Sequence, residues 1–107
     1  MTFDEYQKGA LTTAQDDGVE VIHRTLGLVG EAGEVAERIK KIYRDHNGDF
    51  SRLDKTSMMK ELGDVLWYIA VLADYLGISL DEIATLNASH LKRRAANGLI
   101  QGSGSDR

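Results

Sequence analysis

An all-α protein, with four helices in a bundle-like arrangement, is the fold class this sequence predicts, and three observations carry the prediction. The 107 residues contain no proline, the residue that most often breaks a helix. Apolar side chains recur at three- and four-residue intervals through most of the chain, the spacing of a buried helix face. No segment keeps the strict alternation of a strand.

Each helix has its own start and stop signals. Thr2-Phe3-Asp4-Glu5 has the form of a capping box, Thr with Glu three residues on, and opens a helix expected to run to about Gln15, before the turn Asp16-Asp17-Gly18. A second helix, from about Val19 to His46, carries Ile22, Leu26, Val29, Ala32, Val35, Ala36, Ile39 and Ile42 at helical intervals; Asn47-Gly48-Asp49 ends it. The third begins at Asp54 or Lys55 and continues to Leu76, with Gly77 placed as its C-terminal cap. Ser79-Leu80-Asp81-Glu82 is a second capping box and opens a fourth helix ending near Ala96. Gly102-Ser103-Gly104-Ser105-Asp106-Arg107 has linker composition, so the domain is expected over residues 1–98 and a tail over 99–107.

Composition excludes several function classes. A balance of 13 Lys+Arg against 17 Asp+Glu gives a net charge of −4, whereas a general nucleic-acid binder needs a basic face to displace counterions. No cysteine is present, which removes disulfides and thiolate metal sites. No apolar run approaches the roughly 20 residues that span a bilayer, and Met1-Thr2-Phe3-Asp4-Glu5 lacks the basic start of a signal peptide. A cytoplasmic protein without nucleic-acid or membrane partners is expected.

The informative anomalies lie inside the helices. Placed on a wheel at 100° per residue, the third helix is apolar nearly all round, through Met58, Met59, Leu62, Val65, Leu66, Ile69, Leu72, Ala73 and Leu76, extended by Tyr68, Val71 and Tyr75. A single small subunit cannot cover such a helix, so a homo-oligomer is expected. Glu61 and Asp64 sit within that apolar arc, where an isolated charge is costly unless paired or metal-bound. The second helix repeats the anomaly in Glu31-Ala32-Gly33-Glu34, two carboxylates about 60° apart in projection and neighbours on one face. Gly27, Gly30 and Gly33 lie in the same turns; each costs about 1 kcal/mol relative to alanine, which a close approach by a neighbouring helix or a ligand would offset.

With the second and third helices antiparallel, Glu31 and Glu34 face Glu61 and Asp64. Two such charges 5 Å apart repel by roughly 3 kcal/mol even at an effective dielectric near 20, so four together call for a cation. Oxygen-only ligands suit Mg²⁺ or Mn²⁺, and no Cys or His set is offered to zinc.

Glu31-Ala32-Gly33-Glu34, twenty-six intervening residues and Glu61-Leu62-Gly63-Asp64 resemble the ExxE…ExxD signature of the all-α nucleoside triphosphate pyrophosphohydrolases, the MazG-like group. The likeness extends to Leu26-Gly27-Leu28-Val29-Gly30, Trp67-Tyr68, Leu76-Gly77-Ile78, Asn87 with the basic segment after it, and the tail, similar to a GSGDxR ending. It implies Mg²⁺-dependent hydrolysis of a ribo- or deoxynucleoside triphosphate to monophosphate and pyrophosphate by a homodimer or a dimer of dimers. Glu31, Glu34, Glu61 and Asp64 become metal ligands and catalytic acids, one of them orienting the attacking water. Many members carry Asn-x-x-Lys-Leu-x-x-Arg on the last helix, where this chain reads Asn87-Ala88-Ser89-His90-Leu91-Lys92-Arg93-Arg94. Asn87, His90 and Arg94 are then expected at the substrate, with Lys92 or Arg93 compensating for the histidine. The tail departs as well, with Ser105 where Asp is common.

Trp67 is expected to stack on a base or, lying off the main core arc, to anchor an oligomer interface. Lys40, Lys41 and Arg44 read as a solvated face, and His23 and His46 as surface residues without partners. Two alternatives stand beside the leading function: a phosphoribosyl-ATP pyrophosphohydrolase, with similar acidic motifs, and a non-catalytic helical dimerisation or regulatory module whose acids form structural ion pairs.

Overall fold

The computed structural model describes residues 1–98; the expected tail, 99–107, lies outside the described residues. They form four α-helices, α1 (Phe3–Leu11), α2 (Glu20–Asp45), α3 (Lys55–Tyr75) and α4 (Leu80–Ala96), with one 3₁₀ turn, Phe50–Arg52, between α2 and α3. No strand occurs among the described residues.

Both capping boxes form: Thr2 with Glu5 at α1 and Ser79 with Glu82 at α4. At the other end of α3, Gly77 takes φ +73°, the left-handed conformation glycine tolerates. Its N–H donates to the Asp74 carbonyl at 2.9 Å and that of Ile78 to Ala73 at 2.8 Å, which together make a Schellman stop. α1 ends at Leu11, four residues short of the sequence expectation. Thr12 and Thr13 close it early, because their hydroxyls donate back to the carbonyls of Gly9 (2.6 Å) and Ala10 (3.0 Å) while their N–H groups tighten the last turn onto the same oxygens. The 3₁₀ turn, unmarked by any sequence periodicity, is capped by the Asp49 carboxylate, which accepts from Ser51 N (3.2 Å) and Oγ (2.6 Å).

α2 and α3 are the antiparallel frame: Arg24 reaches the Val71 carbonyl (2.6 Å) and Arg38 reaches Glu61 (3.0 Å) at opposite ends of the pair. Between them Gly27 meets Tyr68; a Cβ at Gly27 would land inside the phenol ring, so this glycine is the close approach its helix cost called for. Nothing lies within 4 Å of a Cβ built at Gly30 or Gly33, so for these two the expected approach is not made within the described part of one chain. α1 packs on α3, and α4 packs on α1 and on the end of α3, whereas α2 and α4 do not touch.

Gln7 holds that second layer. It is buried; its Nε2 donates to the carbonyls of Ala70 (3.0 Å) and Ile78 (3.1 Å), and its Oε1 accepts from Leu80 N (3.2 Å). One side chain thus ties α1 to α3 and satisfies the first N–H of α4. The core around it is small: Ala10, Ala70, Val71 and Leu80, with Tyr6, Leu11, Trp67, Tyr68 and Ile69 against it.

The single apolar series read along α2 divides in two. Val35, Ile39 and Ile42 are half-buried, whereas Ile22, Leu26, Val29, Ala32 and Ala36 are exposed, Leu26 and Val29 at 65% each. On α3, Met59 and Leu62 are exposed as well.

Candidate metal centre

The α2–α3 pairing sets the acidic site. Counting along the antiparallel register that joins Gly27 to Tyr68 brings Glu31 opposite Asp64, with Glu61 one turn away on α3, and these three carboxylates offer oxygens that all lie within 4.8 Å of one another. Glu31 and Glu61 are half-buried and Asp64 is exposed. Burial first, then the charges of Asp64, Glu61 and Glu34, push the Glu31 carboxyl above its ordinary value. Burial and like charges both disfavour the ionised form of a carboxyl. The donor set fits a hard cation: oxygen ligands only, on two helices, with room for water at the exposed Asp64 side. Burial and then the Asp64 carboxylate raise the Tyr6 phenol too, so α1 feels the same field.

Glu34, expected as a fourth member, stands outside this group of three. It is exposed, because the strip of α2 facing α3 is centred on Glu31 and a residue three positions on projects toward its edge. Glu34 and Glu61 instead share a concavity of about 280 Å³ with Arg38, Lys41, Arg52 and Asp54. There Arg38 turns Nε and Nη2 onto Oε1 of Glu61, both at 3.0 Å. Sequence reading passed over Arg38, although it lies seven residues from Glu31 and therefore on the same face.

The expected substrate residues are not brought to the acids within one chain, since they stand on α4 and α4 does not touch α2. Asn87 and His90 line a largely apolar groove of about 610 Å³ with Ile78, Ile83, Leu86 and Arg93. Arg93 Nη2 lies 2.8 Å from His90 Nδ1. Arg94 is buried, with its Nε lacking a hydrogen-bond partner, and Lys92 is exposed.

Trp67 does not stand clear of the core. It packs against it, edge-on to Tyr68 at 4.9 Å and 88°, and donates Nε1–H to Thr13 Oγ1 at 3.1 Å. It also borders a 400 Å³ concavity with Gln15, Asp17, His23 and Arg24. His23 is exposed but not unpartnered, for its Nδ1 lies 2.7 Å from Asp17 Oδ2. No helix among the described residues is long and apolar enough to cross a membrane.

Residues 22–99 match the MazG nucleotide pyrophosphohydrolase domain. The chain is 41% identical to the Gene 37 protein of Mycobacterium phage L5 over the whole of both chains. It is 36% identical to the protein YvdC of Bacillus subtilis (strain 168), across 63% of this chain and 68% of that one. No solved structure matches.

Proposed function

Since the chain belongs to the MazG nucleotide pyrophosphohydrolase domain family, we propose that it hydrolyses nucleoside triphosphates, ribo- or deoxy-, to the monophosphate and pyrophosphate in a Mg²⁺-dependent reaction, with Mn²⁺ as a substitute. The observation that carries this reading is the trio Glu31, Glu61 and Asp64, whose oxygens converge within 4.8 Å. A bound divalent ion there supplies charge to phosphate oxygens and acidity to a water. The chain's own contribution is to hold three carboxylates in a half-buried frame, with Glu34 at its edge to accept the proton of an attacking water. That water adds to the α-phosphorus, the bond from the α-phosphorus to the bridging oxygen breaks, and the electron pair leaves with pyrophosphate.

The α4 residues Asn87, His90 and Lys92 enter this reading through a second subunit, because α4 and α2 of one chain are not in contact; Arg94 is buried within its own chain. Trp67 enters it as the wall of the 400 Å³ concavity, a place for the base. The domain match favours this function over a phosphoribosyl-ATP pyrophosphohydrolase. The Arg38–Glu61 ion pair is a feature a non-catalytic module would also keep, and the experiment separates the two.

With Mg²⁺ and each ribo- and deoxynucleoside triphosphate in turn, wild-type protein should release monophosphate and pyrophosphate. Glu31→Gln and Asp64→Asn should each lower turnover by roughly 10²–10³-fold, as removal of one preorganised electrostatic contact does, with helical circular dichroism retained. Orthophosphate and diphosphate as the sole products, or near-normal turnover in both variants at saturating Mg²⁺, would overturn the reading.

A further inference from the structure

The concavity beside the acids joins two kinds of charge. Its walls carry the acids Glu34, Glu37, Asp54 and Glu61 and the cations Arg38, Lys41 and Arg52. Two of these acids are occupied: Asp54 caps α3, accepting from Thr56 N (3.2 Å) and Ser57 Oγ (2.8 Å), and Glu37 pairs with Lys40 at 3.5 Å. Arg38 is turned onto Glu61. Lys41 and Arg52 form no ion pair among the described residues. Two cations outside any ion pair among the described residues, on different elements, therefore border one concavity next to the carboxylate trio. The position of Arg52 depends on the 3₁₀ turn, which folds residues 50–52 back against α2.

At about 280 Å³ this space lies just below the range of pockets that enclose a whole small molecule, roughly 300–1,000 Å³. It suits a compact, highly charged fragment. We infer that it receives the diphosphate end of the triphosphate, the β- and γ-phosphoryl groups, held by Lys41 and Arg52, with Arg38 shared between Glu61 and the phosphate oxygens. This rests on the pyrophosphohydrolase reading and adds to it the residues that meet the leaving group. When the α-phosphorus bond breaks, the electron pair and the new negative charge stay on the departing diphosphate. Fixed cations there act where charge develops, and the planar guanidinium of Arg52 matches two phosphate oxygens at once. The motive for the long basic edge of α2 is then chemical, where sequence alone reads Lys41 as part of a solvated face.

The probe is inorganic pyrophosphate, with orthophosphate as the comparison. Binding of each to the full chain in Mg²⁺ is measured by calorimetry, alongside pyrophosphate inhibition and KM for nucleoside triphosphate, on wild type, Lys41→Gln, Arg52→Gln and Arg52→Lys. Each Gln variant should weaken pyrophosphate about tenfold, the usual worth of one charge-assisted hydrogen bond, with orthophosphate and nucleoside monophosphate little changed. Arg52→Lys should recover part of the loss, and KM should rise in step. If wild type turns over triphosphates while both Gln variants keep wild-type pyrophosphate affinity and KM, the inference fails and the pyrophosphohydrolase reading stands. Equal weakening of orthophosphate also overturns it, since the cations then serve any anion. If wild type releases no pyrophosphate from any triphosphate, that reading falls, and calorimetry still decides the site: loss of pyrophosphate binding in the Gln variants supports it, and no binding to wild type removes it.

Discussion

Gln7 shows how much one polar side chain contributes to a core with so few large apolar ones. Its amide serves three backbone groups on α3, on the turn after it and on α4, and all three lose that partner when the side chain is replaced. Gln7→Leu keeps the volume roughly constant and removes every hydrogen bond, so it should cost about 1–3 kcal/mol, measured as a lower midpoint in urea with an unchanged slope. A neutral outcome would mean that water replaces the amide. Nothing in the sequence singled out Gln7, because a glutamine on an amphipathic helix looks like any solvated residue until its neighbours are known. Glu61 and Asp64 were legible for the opposite reason, since charges inside an apolar arc contradict their surroundings, and Glu31 through its i,i+3 spacing from Glu34 at the edge of the arc of α2. Gly27 was legible as a cost, and Tyr68 supplies the contact that offsets it; Gly30 and Gly33 carry the same cost with nothing against them in one chain.

At the scale of elements, the helices that could be read were those with local punctuation, the capping boxes of Thr2 and Ser79 and the stop at Gly77. Such signals act over three or four residues and need no tertiary context. The early end of α1, the 3₁₀ turn and the division of α2 into two faces were not legible, since each depends on side-chain bonds or on which helix packs where. The turn between α2 and α3 has a testable electrostatic consequence. Hydrogen bonds from the Ser51 hydroxyl and amide hold the Asp49 carboxyl below its ordinary value, and those from Ser57 and Thr56 do the same for Asp54. A depressed folded-state value means stability that is full above the ordinary carboxylate range and is lost as pH falls through the lower, folded-state value. Residues 49–56 should therefore loosen on acidification before the helices melt, seen as coupled shifts of the Ser51 and Thr56 amide resonances. Asp54→Asn should remove the Thr56 component and leave Ser51 titrating. Amide shifts that follow an ordinary carboxylate midpoint in both proteins would contradict the caps.

For the whole molecule, the decisive quantity is how little apolar surface the described residues bury. The buried hydrophobics are Ala10, Ala70, Val71, Ala73 and Leu80, and Val71 is the one large side chain wholly enclosed, in a sequence that is 42% hydrophobic. Meanwhile Ile22, Leu26 and Val29 are exposed along α2, and Met59, Leu62 and Leu86 stand 53–73% exposed. Each side chain of this kind gains about 1.5–3 kcal/mol when fully covered, so a second copy packed along α2 would supply stabilisation that the isolated subunit lacks. It would also give Gly30 and Gly33 a close neighbour, and it is the way α4 of one chain can meet the acids of another. Assembly, stability and activity should accordingly fall together. Ile22→Asp combined with Val29→Asp leaves the acidic trio, the Gly27–Tyr68 contact and the concavity beside Trp67 in place while charging the exposed apolar positions of α2. Sedimentation should show this variant dissociating at micromolar concentration where wild type remains a dimer or tetramer, with a lower melting temperature and little turnover. A wild-type protein that sediments as a folded monomer at that concentration, or a double variant of unchanged mass and activity, would move the interface elsewhere.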